Sequence, residues 1–182
     1  MLKIHIPETE AYSSEYNKFI NVKATDVVLE HSLISISKWE AKYHKAFLDN
    51  NVEKTNDELI DYISFMSLSS NVDPNVFKLI PSEELDRIIK YIKDSQSATT
   101  FKDRDGGRAS REIITSELIY YWMVALQIPF ECQKWHINRL LTLIKICNIK
   151  NDPKKNKMPK SEVYAQNKIL NAQRRAKLHS KG

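Results

Sequence analysis

The sequence predicts a mainly α fold, a helical bundle built on a central buried helical hairpin, with a small N-terminal β element and a basic C-terminal arm. Apolar residues recur at helical spacing through most of the chain. Only three glycines occur among 182 residues, which argues against a β-sandwich or barrel with many tight turns. We predict one domain over 1–149, with the β element in 1–30 and helices in 31–149, followed by a linker and helix over 150–182.

The N-terminal segment carries the only clear strand pattern. Leu2, Ile4 and Ile6 alternate with polar residues before Pro7, which is typical of a strand with one buried face. Apolar residues at 19–22 and 27–29 could supply one or two partner strands. The sequence therefore predicts a small sheet or hairpin.

Helix-start signals recur along the middle of the chain. Ser32 precedes a helical pattern that we expect to reach about Leu48. Three further starts carry a capping box, an N-cap residue followed by proline, or a proline followed by acidic residues: Thr55 with Glu58, Asp73 with Pro74, and Pro81 with Glu83 and Glu84.

Two apolar patterns later in the chain predict the central hairpin. They run over 113–126 and 132–147 and are joined only by 127–130, where Pro129 ends the first helix. Ser110 is a candidate N-cap. Apolar residues cover nearly the whole circumference of the first pattern, which favours a buried, central helix.

Positive charge is concentrated in the C-terminal arm. Residues 150–182 hold ten Lys and Arg side chains against two acids, whereas residues 1–149 are slightly acidic. Such an arm can bind nucleic acid, an anionic membrane or an acidic protein face, or remain solvated. We expect a linker over 152–159 and a final helix from Ser161 to about Leu178, which needs docking for stability because its apolar side is thin.

Cysteine placement and hydropathy bear on the cellular compartment. Cys132 and Cys147 are the only cysteines, and on one straight helix they would lie about 22 Å apart, too far for a disulfide. The first residues lack the apolar region of a signal peptide, and the longest apolar run, 119–126, is too short to span a bilayer. We expect a reduced, cytosolic protein without a membrane partner.

Three residue groups invite a chemical interpretation, and each has a simpler one. Cys132 and His136 have the i, i+4 spacing of two zinc ligands on a helix, but no further ligands follow at a known spacing. The polar residues 30–32 are better explained as a turn with a helix cap than as hydrolase groups. The glycines within 105–108 lack the spacing of a phosphate-binding loop. We therefore predict no enzyme, no metal and no cofactor.

Several segments together resemble a family of small tail-module proteins of double-stranded DNA bacteriophages and prophages, and the likeness covers nearly the whole chain. The segments are 29–33, 37–40, 71–74, 97–101, 113–123, 128–136, 138–141 and 171–178.

The resemblance implies a role in tail morphogenesis. Proteins of this kind look like the tail assembly chaperones that are made alongside the tape measure protein. Such chaperones are helical and non-enzymatic, and they coat the hydrophobic helices of the tape measure until tail tube subunits replace them. The expected location is the host cytoplasm during assembly. The alternatives are a structural baseplate or tail-tip component of the virion, and a nucleic-acid-binding protein that acts through the basic arm.

The predicted partners are other tail proteins (tape measure, tail tube or baseplate subunits), with no small-molecule substrate, and self-association is left open. An apolar groove and the arm are the expected contact surfaces. The candidate protein-binding residues are Trp39, Tyr43, Phe47, Lys154, Lys155, Arg174 and Arg175.

Overall fold

The computed structural model confirms the mainly α fold with a small N-terminal β element. It describes residues 1–13, 18–70, 72–101, 112–151 and 160–178. The strands are β1 (Leu2–Ile6), β2 (Thr9–Ser13), β3 (Lys18–Val22) and β4 (Thr25–Leu29). The α-helices are α1 (Leu33–Tyr43), α2 (Asn56–Met66), α3 (Ser82–Lys93), α4 (Ser116–Ala125), α5 (Ile137–Asn151) and α6 (Lys160–Leu178). Short 3-10 helices cover Pro74–Leu79 and Phe130–Lys134.

The chain divides into two compact units, Met1–Lys145 and Ile146–Gly182. Their boundary lies within α5, slightly before the position at residue 149 that the charge pattern indicates. Among the described residues, no helix is both long enough and apolar enough to cross a membrane.

The strands form two antiparallel pairs that share one register. Leu2 lies opposite Leu29 in the β1–β4 pair, and Thr9 lies opposite Val22 in the β2–β3 pair. The two pairs are separated where Pro7 occurs, a residue that has no backbone N–H to donate to a ladder. The predicted strands at the start of the chain and near 19–22 and 27–29 are confirmed, whereas the largely polar β2 carried no clear pattern.

The first strand pair buries one face. Ile4 and Ile6 on β1, with Val27 and Leu29 on β4, are almost completely buried. Alternate residues point to opposite faces of a strand, so these four side chains form one apolar face. This face belongs to the hydrophobic core of the first unit.

Helix α1 occupies the centre of the first unit. Ser32 caps it, as predicted, through a capping box with Ser35, and Leu33, Ile36 and Trp39 are fully buried. It packs against α2, α4 and the second 3-10 helix. The helix ends at Tyr43, before the predicted Leu48, because His44 adopts a left-handed conformation with φ 53°.

The predicted hairpin helices are shorter than their apolar patterns. Helix α4 leaves Tyr121 and Val124 exposed, and Ile113 lies before it. The second pattern is divided between the Phe130–Lys134 3-10 helix and α5. The prediction that Cys132 and His136 share a helix face is therefore wrong, since Pro129 starts a short 3-10 turn before the α-helix can begin.

The remaining start signals are confirmed where the structure describes them. Thr55 and Glu58 form the predicted capping box of α2, and Asp73 caps the first 3-10 helix with proline in its first turn. The acidic residues after Pro81 lie in the first turn of α3. The predicted cap Ser110 and the predicted linker 152–159 lie outside the described residues.

Candidate functional site

Four chain segments meet where β4 leads into α1, and a cavity lies beside this junction. Glu30 N–H donates to the Met66 carbonyl at 2.9 Å, which holds the end of α2 against the junction. Ile137 N–H donates to the His31 carbonyl at 2.7 Å, which holds the start of α5 there. The resulting cavity has a volume of about 560 Å³ and is called the junction cavity below.

Buried polar side chains form the inner lining of the junction cavity, and their hydrogen bonds are internal. His136 Nε2 lies 3.0 Å from the Tyr91 carbonyl, and Nδ1 lies 3.3 Å from Asn138 N–H. A carbonyl only accepts and an N–H only donates, so His136 carries its proton on Nε2 and accepts at Nδ1. Burial lowers the pKa of His136, and the ring is neutral at pH 7.

A second histidine lies directly behind this lining. The His31 and His136 rings contact edge to face, with centroids 5.0 Å apart, and His31 Nδ1 is hydrogen-bonded to the Tyr62 hydroxyl. Burial first, and then the nearby His136, lowers the pKa of His31 to about 3. The two rings therefore form a neutral, internally bonded pair.

The carboxylate of Glu30 is also occupied. Tyr91 Oη donates to Oε1 at 2.7 Å, and the amino group of Met1 lies 3.0 Å from Oε2. Burial and the hydrogen bond to Glu30 raise the pKa of Tyr91. This negative charge is compensated within the cavity.

The outer lining combines apolar walls with positive charge. Part-exposed or exposed apolar side chains come from α1, from α2 and from the residues flanking α2 and α5: Ile34, Phe65, Leu68 and Trp135. Three exposed cations come from α1, the second 3-10 helix and α5: Lys38, Lys134 and Arg139. Within the described part of the chain, none of these three cations forms an ion pair.

Arg139 is positioned by an aromatic ring. Its guanidinium carbon lies 4.4 Å from the centroid of the Trp135 ring, within the range of a cation–π interaction. This contact holds the cation over an apolar wall and leaves its N–H groups available to an acceptor. A carboxylate is the acceptor that a guanidinium binds in bidentate geometry.

The Ser32 hydroxyl, one of those that line the cavity, is engaged in a helix cap. It caps α1 by accepting from Ser35 N–H at 3.3 Å. This confirms the interpretation of 30–32 as a turn with a helix cap. In the described segments no three His, Cys, Asp or Glu side chains are grouped so that they could hold a metal ion. What the cavity offers a ligand is apolar wall and unpaired positive charge.

The three aromatic residues predicted to line a groove form a packed cluster, in which Tyr43 and Phe47 are part-exposed. Trp39 lies 5.0 Å from Tyr43 and 5.1 Å from Phe47 between ring centroids, and Phe47 stacks on Tyr62 at 3.9 Å. Trp39 has no exposed surface, and its Nε1–H donates to the Glu58 carbonyl at 2.8 Å. The structure thus brings the three predicted aromatic residues together, with Trp39 at the inside where it cannot touch a partner.

The predicted arm residues are only partly described. Arg174 and Arg175 lie on α6 and are exposed, whereas Lys154 and Lys155 lie outside the described residues. Their protein-binding role stays a prediction.

Sequence reasoning missed the cations of the junction cavity. Lys38 is far from Lys134 and Arg139 in the chain, and the three residues belong to three elements, so no spacing rule predicts that they share a cavity. Arg139 follows Trp135 by four residues, the one local signal of a cation–π pair.

Comparisons with protein-family models, with curated proteins and with solved structures found no match.

Proposed function

We propose that this protein is a non-enzymatic tail assembly chaperone of a double-stranded DNA bacteriophage, which binds hydrophobic helices of the tape measure protein in the host cytoplasm. The resemblance of its sequence to tail-module proteins supports the biological setting. The composition of α6 supports the mode of action.

Helix α6 carries the proposal. Every side chain described on this 19-residue helix is exposed, including four large apolar ones, namely Tyr164, Ile169, Leu170 and Leu178. Helices in proteins gain most of their stability from packing an apolar face. An amphipathic helix with uncovered apolar side chains is suited to pack against another helix.

The apolar and basic residues of α6 share faces. Leu170, Arg174 and Leu178 follow one another at four-residue spacing, which places them on one side of the helix. Tyr164 lies on a second face with Lys168 and Arg175. A helical client with apolar residues flanked by acids fits such faces, because burial of the leucines and pairing of the arginines then occur together.

Co-expression with the tape measure protein of the same phage tests the proposal. The full-length protein is expected to keep the tape measure protein soluble and to copurify with it. Leu170→Ser combined with Leu178→Ser is expected to lose both effects. Tyr121→Ser combined with Val124→Ser, which alters two exposed apolar residues of α4, is the matched control and is expected to retain them.

Two results would overturn the chaperone role. One is a tape measure protein that stays insoluble beside the unmodified protein. The other is stoichiometric presence of this protein in purified virions by mass spectrometry, which would assign it to the baseplate or tail tip. A DNA mobility shift that weakens steeply with salt would instead support nucleic-acid binding by the arm.

A further inference from the structure

We propose that the junction cavity is a second docking site, specific for a short polypeptide segment in which Asp or Glu residues lie next to bulky apolar ones. The inference rests on the proposed function to the extent that it assumes a polypeptide client. It adds a site in the first unit and the chemistry of the segment that this site accepts.

The first argument is unpaired charge. Lys38, Lys134 and Arg139 surround the cavity, and inside the described ranges no carboxylate pairs with any of them. The acid of the lining, Glu30, already accepts from Tyr91 and faces the Met1 amino group. The cavity therefore has positive charge to spare, and an anionic ligand would be attracted to it.

The second argument is the apolar wall. Leu68, Phe65 and Trp135 line the cavity together, and Leu68 is 58% exposed. Covering these side chains with an apolar ligand group removes them from water, which is the main favourable contribution to most protein association. A volume of about 560 Å³ accommodates a few side chains and lies within the usual range of ligand pockets of about 300–1,000 Å³.

The two arguments together select the occupant. A phosphate backbone would satisfy the cations but leave the apolar wall wet, and a purely apolar helix would leave the cations unpaired. The arm of a second copy is excluded by charge, since residues 150–182 hold ten basic residues against two acids. An acidic, apolar polypeptide segment satisfies both features.

The ordered lining favours recognition over nonspecific adhesion. His136 and Tyr91 are fixed by hydrogen bonds to Asn138 N–H and Glu30, and Arg139 is held against Trp135. Side chains that are already placed lose little conformational entropy when a ligand binds. Because the exposed cations of the lining are the groups that distinguish a carboxylate from an amide, the site is expected to bind an acidic segment more tightly than its amide analogue.

Selection from a random peptide library displayed on a carrier tests the proposal. The full-length protein is the target, and full-length Lys38→Glu combined with Lys134→Glu is the counter-selection target. Both lysines are exposed, so this variant is expected to fold. The enriched peptides are expected to carry Asp or Glu beside Leu, Ile, Phe or Trp. No enrichment over the variant, or enrichment of neutral or basic peptides, overturns the proposal.

The best enriched peptide is then synthesised and titrated against single variants. Lys38→Glu, Arg139→Glu and Leu68→Ser are each expected to weaken binding at least tenfold. Lys90→Glu, an exposed lysine on α3 outside the cavity, is the matched control and is expected to leave affinity unchanged. Replacing each Glu in the peptide by Gln is expected to weaken binding to a similar extent. Equal affinity of the Gln peptide contradicts the assigned chemistry.

Two further experiments separate this proposal from its alternatives. Leu170→Ser combined with Leu178→Ser is expected to leave peptide affinity unchanged, so that failure of the α6 experiment and failure of this one are independent. Single-stranded DNA and succinate are titrated as competitors. Competition by either one at a concentration below that of the peptide would reassign the cavity to nucleic acid or to a small carboxylate and overturn the proposal.

Discussion

The carboxylate of Glu40 on α1 accepts a 2.7 Å hydrogen bond from the backbone N–H of Ser116, the first residue of α4. Its other oxygen accepts from Phe47 N–H at 2.9 Å. Glu40 is buried, although glutamate side chains are usually exposed. A negative charge at a helix N-terminus is stabilised by the helix dipole and by the free N–H groups there. One side chain thus joins α1, α4 and the loop after α1.

Glu40→Ala is expected to lower the free energy of unfolding by about 3 kcal/mol, because it leaves two backbone N–H groups without their charged acceptor. Urea unfolding followed by tryptophan fluorescence measures the change. Glu53→Ala, an exposed carboxylate between α1 and α2, is the control and is expected to change stability by less than about 0.5 kcal/mol. Equal losses in the two variants would contradict the bridging role.

Helix α4 ends in a Schellman motif built on glutamine. Ile128 N–H donates to the Met123 carbonyl at 2.8 Å and Gln127 N–H to the Val124 carbonyl at 3.1 Å, the two bonds that define this motif. Gln127 has φ 55°, a left-handed conformation that glycine adopts without a Cβ clash.

Gln127→Gly is expected to stabilise the protein by about 0.5–1 kcal/mol. The free energy gained by relieving the left-handed strain exceeds the entropic cost that glycine adds by giving the unfolded chain more conformations. The side chain is exposed, so no packing is lost. Thermal unfolding measures the gain, and Gln127→Ala, which keeps the Cβ, should show none. A destabilised glycine variant would refute the assignment.

Trp39 is expected to stabilise the fold and not to contact a client protein directly. Trp39→Ala removes a fully buried side chain and the hydrogen bond to the Glu58 carbonyl. The expected loss is about 3–5 kcal/mol. Chemical denaturation measures the free energy of unfolding of this variant and of Tyr43→Ala. The Tyr43 ring is partly exposed, so Tyr43→Ala is expected to lose less stability. A stable Trp39→Ala protein that no longer binds its client would contradict this.

The histidine pair predicts how stability depends on pH. The pKa of His31 falls from 6.5 unfolded to about 3 folded, and that of His136 is also lowered, in both cases mainly by burial. The unfolded chain therefore binds more protons below pH 6.5, so the stabilising contribution is complete above pH 6.5 and is lost as the pH falls toward 3.

Urea unfolding at several pH values between 5 and 8 tests this dependence. Over this range the carboxylates of Glu58 and Asp61, whose pKa values are lowered mainly by hydrogen bonds from Lys45 and Lys42, stay ionised. His31→Phe is expected to reduce the slope of unfolding free energy against pH, even if the variant is less stable throughout. An unchanged slope would show that the pKa of His31 does not differ between the folded and unfolded states.

Local signals predicted element starts well. Ser32, Thr55 and Asp73 cap their helices as expected, because a cap depends on residues that are neighbours in the chain. Element ends were predicted less well. His44 and Gln127 end α1 and α4 in conformations for which glycine is the usual signal, and this chain has only three glycines.

The burial of each helix face and the candidate site could not be predicted from the sequence, because both depend on contacts between residues that are distant in the chain. The apolar pattern of α4 indicated a helix buried all round, yet the structure places α1 at the centre and leaves Tyr121 exposed. The aromatic residues Trp39, Tyr43 and Phe47 do cluster, but their sequence gave no indication of which one faces inward. Periodicity assigns residues to a face, and it does not say what covers that face.

The amino-acid sequence alone determined the mainly α class, the N-terminal β element, the helix starts and the basic arm, because each follows from the composition or spacing of neighbouring residues. Only the tertiary structure decided that Glu40 joins α1 to α4, that His31 and His136 are buried together, and that Lys38, Lys134 and Arg139 surround one cavity. Each of those relationships joins parts of the chain that are far apart in sequence, and it is set by the packing of whole helices.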